Sequence, residues 1–410
     1  MLAWKRSRKI LLCVTGGIAA YKIPDLVSRL RKLDCEVEIA MTEAAETLVS
    51  PLALSTLSNR RAWLQSDFLA SSRGFEIPHI HLADWAEVVV VAPCSANTAF
   101  GVAQGRAGGI VEAALLATQA PVVLFPAMNV HMFENPATRR NLEILTQRGV
   151  RVVDPAFGLL ACGYEGKGRL PDTDLILEEI AYALSPRRDL AGKHILVTAG
   201  PTREYLDPVR FISNPSSGKM GLAMARTAWY RGAEVRVILG PASPAGSAHG
   251  LEIHGVVSTL EMRDAVMENL EWADCIVKAA AVGDYRAEEK ADHKIKRNTG
   301  GNDQERTFSL SLVQNPDIAA EVGARKRADQ LLIGFAAETD DLVANARAKL
   351  ERKGLDVMLA NDVSAPSSGF GVDTNVVHMI SRTGGEISIS GSKEEVADAV
   401  WEELITGGLF

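Results

Sequence analysis

Residues 9–20 read KILLCVTGGIAA, and residues 193–200 read KHILVTAG. Each is a short apolar run that stops at a glycine-bearing turn. Behind the first, Tyr21 to Leu33 places apolar residues at helical spacing; behind the second, Met220 to Arg231 does the same. Strand, tight turn and helix are thus written twice, about 185 residues apart. Further Val-rich runs, Val37 to Met41, Val88 to Ala92 and Val122 to Phe125, end at Thr42, Pro93 and Pro126, and Val235 to Leu239 follows the second copy. Strands that are apolar throughout are buried on both faces, so the pattern predicts mainly parallel sheets covered by helices. The fold expected is α/β, two doubly wound Rossmann-like domains.

The seam lies in ALSPRRDLAGK, residues 183–193, where the text turns polar around Pro186 and Gly192. A boundary near residue 188 divides the chain into domains of residues 1–188 and 189–410. The length of 410 residues and a hydrophobic content of 47% suit two or three domains with real cores and exclude a disordered or collagen-like chain. The stretch from Arg286 to Arg306, rich in charge, Asn and Gly, reads as a mobile loop.

Lysine and arginine total 44 against 51 acidic residues, a formal charge of -7, with no basic block. General nucleic-acid binding is therefore not expected, and an anionic ligand must be held by local clusters. The five cysteines are odd in number and show no CxxC or Cys/His spacing, which fits a reducing compartment and argues against zinc. Lys5, Arg6, Arg8 and Lys9 before Ile10 to Val14 imitate a signal peptide, but Gly16 and Gly17 interrupt the run and Lys22 follows. With no later apolar stretch near the roughly 18 residues of a membrane span, a cytoplasmic protein without membrane association is expected.

In the first half, Gly16, Gly17 and Ile18 sit where a strand feeds a helix, a place suited to phosphate, although the turn is not the GxGxxG fingerprint. Three segments lie at or beyond strand ends, where open α/β sheets bind ligands: His79 to Leu82, Ala92 to Thr98, and Pro126 to Phe133. Ser95 and Asn97 are equally explained as helix caps, and a lone His such as His79 is more often structural than catalytic. Cys162 lies inside a glycine-rich loop, ACGYEGKGR, residues 161–169, an unusual place for a packing cysteine and one that suits a closing flap. Cys13 and Cys275, in apolar strands, belong to the core.

GGIAAYK, AMTEAA, APCSANT, PAMNVHM and ACGYEGKGR occur in that order, and together they resemble the flavin-dependent phosphopantothenoylcysteine decarboxylases. The resemblance implies a flavodoxin-like domain with FMN at Gly16, Gly17 and Ile18, Thr42 near its phosphate, and Ser95 and Asn97 near the flavin. It also implies that His79 is the catalytic histidine, that Asn129 binds the substrate carboxylate, and that Cys162 donates a proton. A carboxylate two carbons from a thiol has no electron sink; oxidation of the thiol to a thioaldehyde creates one, and a proton is needed on the return. Two departures stand out: Cys94 replaces the usual Ala, and His81 replaces a common acid. On a strand His81 would share the face of His79.

In the second half, Ser217-Gly218-Lys219 imitates a phosphate loop but lacks the earlier Gly, Ser213 standing there, and has Met220 for Ser/Thr. Lys349 and Lys353 are one helical turn apart and share a face; with Lys294 and Lys296 they form local clusters suited to a triphosphate. TAGPTREYLDPVRFISNPSSGKMG, residues 198–221, with AAVGDYR, KIKR, NPDI, GFAAET and AND, resembles the phosphopantothenate:cysteine ligase domain. Gly283 departs from the usual Ala. The resemblance implies CTP-dependent amide formation through an acyl-cytidylate. Asn214 would serve that intermediate and Lys296 would contact phosphate. Lys294, Lys349 and Lys353 would also hold CTP, Ala281 and Phe335 would line the cytosine site, and Asp284 would contact nucleotide and Mg2+ or Mn2+.

The function expected is therefore bifunctional coenzyme A biosynthesis: ligation of 4'-phosphopantothenate with cysteine, then decarboxylation to 4'-phosphopantetheine. The resemblance further implies homo-oligomers of trimeric decarboxylase units and dimeric ligase units, up to a dodecamer. The competing readings are a prenyltransferase-like flavoprotein and a regulatory flavin-binding subunit, each fused to a nucleotide-binding domain. PAMN together with ACGYEGKGR disfavours the first. The second would not need His79, Asn129 and Cys162 together, nor an intact ligase half.

Overall fold

The structure, a computed structural model, describes residues 7–69, 77–185, 187–242, 248–296, 309–338, 342–362 and 372–410. The chain divides into two compact units, the boundary falling between positions 186 and 187 of the sequence.

The first unit is built on five parallel strands: β1 (Lys9–Val14), β2 (Glu36–Met41), β3 (Val88–Cys94), β4 (Val122–Pro126) and β5 (Arg151–Val152). Their order is β2-β1-β3-β4-β5, the flavodoxin-like arrangement. The uniformly apolar text of β1 has a direct cause. Ile10, Leu12 and Val14 enter one core layer with Ile23, Leu26 and Leu30 of the helix Ile23–Lys32. Leu11 and Cys13 enter the layer on the opposite face. A two-stranded antiparallel hairpin, β6 (Ala156–Leu159) and β7 (Glu165–Arg169), follows β5.

The segment containing His79 is not a strand. Pro78 opens a helix, Pro78–Trp85, because its fixed φ and missing N–H suit the first helical turn. Residues two apart on a helix diverge by about 200°, so His79 and His81 do not share a face. His81 packs 5.5 Å from Trp63 and lies 3.7 Å from the Glu38 carboxylate, whereas His79 packs 5.5 Å from Phe68.

The second unit contains β8 (His194–Ala199), β9 (Arg203–Tyr205), β10 (Phe211–Ser213), β11 (Glu234–Leu239), β12 (Glu252–Gly255) and β13 (Cys275–Lys278). It continues with β14 (Tyr285–Ala287), β15 (Leu312–Gln314), β16 (Leu331–Glu338), β17 (Val357–Asp362), β18 (Thr374–Ser381) and β19 (Glu386–Ser392). The main sheet runs β12-β11-β8-β13-β16-β17-β18-β19. Its first six strands are parallel, and β18 and β19 close the edge antiparallel. The pairs β9–β10 and β14–β15 form two short antiparallel ladders, each strand three residues long and too brief for a periodicity to register.

The strand order reverses between β1 and β3 in the first sheet and between β8 and β13 in the second. Both reversals open a crevice at the carboxyl ends of the strands. Among the described residues, no helix is long and apolar enough to cross a membrane.

Candidate active sites

In the first unit the crevice is set by Thr15, fully buried at the end of β1. Its hydroxyl donates to the Pro93 carbonyl at 2.7 Å and accepts from the Ser95 amide at 2.9 Å, tying the ends of β1 and β3 together. Sequence reasoning gave Thr15 no role, since a buried Thr in an apolar strand carries no local signal. A cavity of about 360 Å³ lies above, lined by Gly16, Gly17, Ile18, Ser95, Met128, Asn129 and Cys162 among others. Gly17 forms part of the cavity floor, where a Cβ would sit at ordinary contact distance from Pro93 (3.5 Å) and the Ala127 carbonyl (3.6 Å). That floor, with the apolar Ile18 and Met128 and the polar Ser95 and Asn129, fits a planar flavin with a polar tail.

The hairpin β6–β7 brings Cys162 to this cavity. The Met128 amide donates to the Gly168 carbonyl at 2.9 Å, and a Cβ on Gly168 would stand 2.1 Å from the Met128 oxygen. Gly166 is crowded too, though by a side chain, its would-be Cβ lying 2.7 Å from Val130. These glycines allow backbone to lie on backbone, so the loop read as flexible is a seated hairpin. At its tip the Asn129 side-chain amide donates to Cys162 Sγ at 3.2 Å. This hydrogen bond leads the causes that hold the Cys162 thiol below its ordinary range, with a backbone bond from Tyr164 second. Cys162 is exposed, whereas the other four thiols are buried. Burial pushes Cys13 and Cys35 up to about 12 and raises Cys94 and Cys275 strongly.

Of the other expected residues, Ser95 reaches the cavity, and Thr42, His79 and Asn97 do not line it. Thr42 caps the helix Glu43–Leu48, accepting from the Ala45 amide at 3.4 Å, and Asn97 is exposed; neither lines the cavity. Ser95 does both jobs, capping Ala96–Ala103 through the Thr98 amide while lining the cavity. His79 does not line it, and its Nδ1 is buried without a hydrogen-bond partner among the described residues.

In the second unit two cavities adjoin at the ends of β13 and β16, sharing Ala280, Val282, Asp284, Phe335 and Lys349 in their walls. The larger, about 460 Å³, takes in Asn214, the turn from Pro215 to Gly218, Lys219 and Ala281. Gly218 holds φ +74° before the helix Lys219–Tyr230. Lys219 pairs with Asp373 at 2.6 Å. Gly221 serves helix packing: its Cβ would meet Ala199 at 2.7 Å. The Asn214 side-chain amide donates to the Val282 carbonyl at 3.0 Å.

The smaller cavity, about 250 Å³, takes in Lys278, Asn315, Asp317, Ile318, Lys349 and Lys353. Lys353 pairs with Asp317 at 3.1 Å. Burial would raise the Asp317 carboxyl, but the Ala320 amide and Lys353 together hold it below the ordinary range.

A buried polar network that sequence reasoning left without a role fixes the Asp284 loop. The Gly283 amide donates to Thr202 Oγ1 at 2.9 Å, and its carbonyl accepts from the Asn315 side chain at 2.8 Å. Glu204 in turn accepts from the Thr259 amide at 2.9 Å and its hydroxyl at 2.7 Å.

Lys294 and Lys296 are exposed and line neither cavity. Their segment is tethered rather than loose: the Ala291 amide donates to the Leu206 carbonyl at 2.9 Å, and the Ile295 amide to Asp207 at 3.0 Å. The rest of the expected mobile loop, residues 297–306, lies outside the described residues, as does Thr339 of the GFAAET motif. Among the described residues no three His, Cys, Asp or Glu groups converge as a metal site; Asp284 is in the walls of both cavities and Asp317 in those of the smaller, where it is paired with Lys353.

Two family models match the chain: Flavoprotein over residues 3–185, and DNA/pantothenate metabolism flavoprotein C-terminal domain over residues 190–407. The chain is 43% identical over 405 residues to the coenzyme A biosynthesis bifunctional protein CoaBC of Bacillus subtilis, covering 97% of each chain. It is 41% identical over 399 residues to the protein of that name from Escherichia coli K12, again over 97% of each. A solved C-terminal domain of CoaBC is similar at 35% identity and a TM-score of 0.45, covering 54% of this chain and 97% of that one.

Proposed function

The chain belongs to the family of bifunctional coenzyme A biosynthesis proteins, and on that premise we propose how its residues divide the two reactions. It is a phosphopantothenoylcysteine decarboxylase and a phosphopantothenate:cysteine ligase in one chain. Residues 1–188 carry the decarboxylation and residues 189–410 the ligation, so chain order is opposite to reaction order.

In the first domain, Gly16, Gly17, Ile18 and Ser95 hold FMN, with Thr42 and Asn97 at the edge of its site. FMN, when bound, supplies the two-electron chemistry that creates a sink for the electron pair left behind when CO2 departs. Asn129 orients the substrate carboxylate without neutralising it. Cys162 gives up the proton required on the return, and a thiol held below its ordinary range is the stronger acid for that task. In a reducing cytoplasm it stays a thiol. The observation that carries this reading is the Asn129–Cys162 hydrogen bond at the cavity wall.

Since His79 stands outside its own cavity, its role as catalytic histidine calls for a second copy of the chain to present it. The exposed Ile18, Tyr21, Leu52, Phe157 and Leu159 supply apolar surface for the trimeric packing expected of this domain.

In the second domain, Lys349 and Lys353 neutralise CTP phosphates, Ala281 and Phe335 line the base site, and Asn214 positions the acyl-cytidylate. A carboxylate accepts an amine only once its oxygen is a leaving group; CMP serves, with pyrophosphate released first. Asp284 would hold Mg2+ or Mn2+, which would supply positive charge to offset the negative charge of the phosphates; a light protein share suits Mg2+. Lys294 and Lys296 reach phosphate from outside the cavities, as pairing of ligase domains into dimers would allow.

The test is incubation of the purified chain with phosphopantothenate, cysteine, CTP and Mg2+, read by mass spectrometry. Pyrophosphate, CMP, CO2 and phosphopantetheine are expected, and nothing without CTP. Cys162→Ser should still ligate but fail to complete decarboxylation. Normal turnover of that variant in both steps would overturn the assignment of Cys162.

A further inference from the structure

Two of the motifs that mark the first half end in a cation: Lys22 closes GGIAAYK and Arg169 closes ACGYEGKGR. The fold brings both to one cavity. Lys22 is the last residue of the short 3-10 helix Ile18–Lys22, and Arg169 is the last residue of β7. Both line the cavity of about 360 Å³ that also holds Asn129 and Cys162. Among the described residues of its walls they are the only charged side chains, and no carboxylate stands beside them there.

Little within the fold offsets this pair. Arg169 meets Asp172 at 3.4 Å, but that carboxylate is 80% exposed and lies outside the cavity walls. Lys22 donates to the Leu170 carbonyl at 3.4 Å, longer than the usual bond from an ammonium group. Burial and the nearby Arg169 charge push the Lys22 amine below its ordinary value, with Asp172 pulling the other way. Two like charges held at one wall, with Asp172 turned to solvent, leave a positive corner in an otherwise uncharged slot.

We propose that this corner is a phosphate subsite, in which Lys22 and Arg169 hold the 4'-phosphate of the decarboxylase substrate. The inference rests on the decarboxylase reading of this cavity and names what fixes the far end of its substrate. Phosphopantothenoylcysteine carries an anion at each end. Its carboxylate belongs with Asn129 beside Cys162, so its phosphate needs a partner elsewhere on the wall, and this pair alone is cationic there. The other phosphate at hand is that of FMN, assigned above to the glycine turn with Thr42 at its edge. That turn abuts the helix capped by Thr42, a Cβ on Gly16 standing 2.5 Å from Ala44. Lys22 is four residues beyond Ile18, about 8 Å along a helix that rises ~2 Å per residue. A compact ammonium beside a planar guanidinium fork suits a dianion with several acceptor oxygens.

The experiment compares kcat/KM for decarboxylation of phosphopantothenoylcysteine and of pantothenoylcysteine, which lacks the phosphate. Each is supplied directly to the FMN-loaded full chain and to its Lys22→Met and Arg169→Met variants. The parent should prefer the phosphorylated substrate by about tenfold or more, the range for hydrogen bonds to charged groups, and each variant should lose most of that preference. Lys22→Arg, which keeps the charge, should retain it. FMN affinity, read from the quenching of flavin fluorescence on reconstitution, distinguishes the two phosphates. A variant whose FMN affinity falls while its substrate ratio stays parental would give the pair to FMN and overturn the proposal. A parent that uses both substrates equally, or variants that keep both the parental ratio and the parental FMN affinity, would overturn it too. Should one variant show no cooperative melt, the other decides, because the two cations sit on different elements. A parent inactive with both substrates would overturn the decarboxylase reading of this cavity, and the subsite with it.

Discussion

Gly168→Ala is the substitution from which the structure predicts most. The added Cβ would stand 2.1 Å from the Met128 carbonyl oxygen, where real contacts essentially never fall below 3.0 Å. Its obstacle is backbone, and that backbone forms one wall of the cavity, so no side chain can rotate to make room. Relief requires β7 to lift by about 1 Å, which breaks the Met128–Gly168 hydrogen bond of 2.9 Å and costs about 1 kcal/mol for the bond alone. The hairpin tip moves with it, and Cys162 leaves the 3.2 Å contact with Asn129. A misplacement of about 1 Å at a reacting group can cost on the order of a hundredfold in rate. G168A should therefore decarboxylate about a hundredfold more slowly, while its ligase turnover stays within twofold. Both steps are read on one preparation by following phosphopantetheine and pyrophosphate separately. Gly166→Ala meets only the Val130 side chain at 2.7 Å and should be milder. Decarboxylation by G168A within twofold of the parent would refute the view that the seated hairpin, rather than mere possession of Cys162, makes the site.

Other expectations follow from the same contacts. Because the Asn129 amide helps to keep the Cys162 thiol below its ordinary range, Asn129→Ala should move alkylation of Cys162 by iodoacetamide to higher pH. The four buried thiols leave that signal clean, and an unchanged or lower midpoint would count against the hydrogen bond. Gly283→Ala should be tolerated, since its Cβ meets Glu204 at 3.4 Å and Thr202 at 3.5 Å; ligation within about threefold and a melting temperature no lower than the parent's are expected, with a gain of about 0.4–1 kcal/mol from the stiffer unfolded chain. Asp207 is fully buried and accepts from the Val209, Arg210 and Ile295 amides. Asp207→Ala should free the segment bearing Lys294 and Lys296 and raise KM for CTP more than it lowers kcat; an unaltered KM in a folded variant would sever that link.

The two-domain α/β plan was legible in residues 9–20 and 193–200 because a strand buried on both faces needs continuous apolar text, and a turn into a helix needs glycine. Those requirements act within a dozen neighbouring residues. The thiol singled out by its glycine-rich surroundings was legible for the same reason. What contiguous text does not encode is which distant residues meet. Asn129 and Cys162 are 33 positions apart and touch only because Gly168 lets β7 lie on Met128. His79 looked like part of a strand until Pro78 was seen to start a helix, which turned His81 away towards Trp63. Lys278, the last residue of an apolar strand, carried no signal at all. Its burial, with Asp317 already paired with Lys353, exists only once the sheet and its helices have closed around it. Local periodicity and turn chemistry thus decided the architecture from sequence, whereas tertiary packing decided the sites, because hydrogen bonds, burial and charge pairing are properties of residues brought together from different elements.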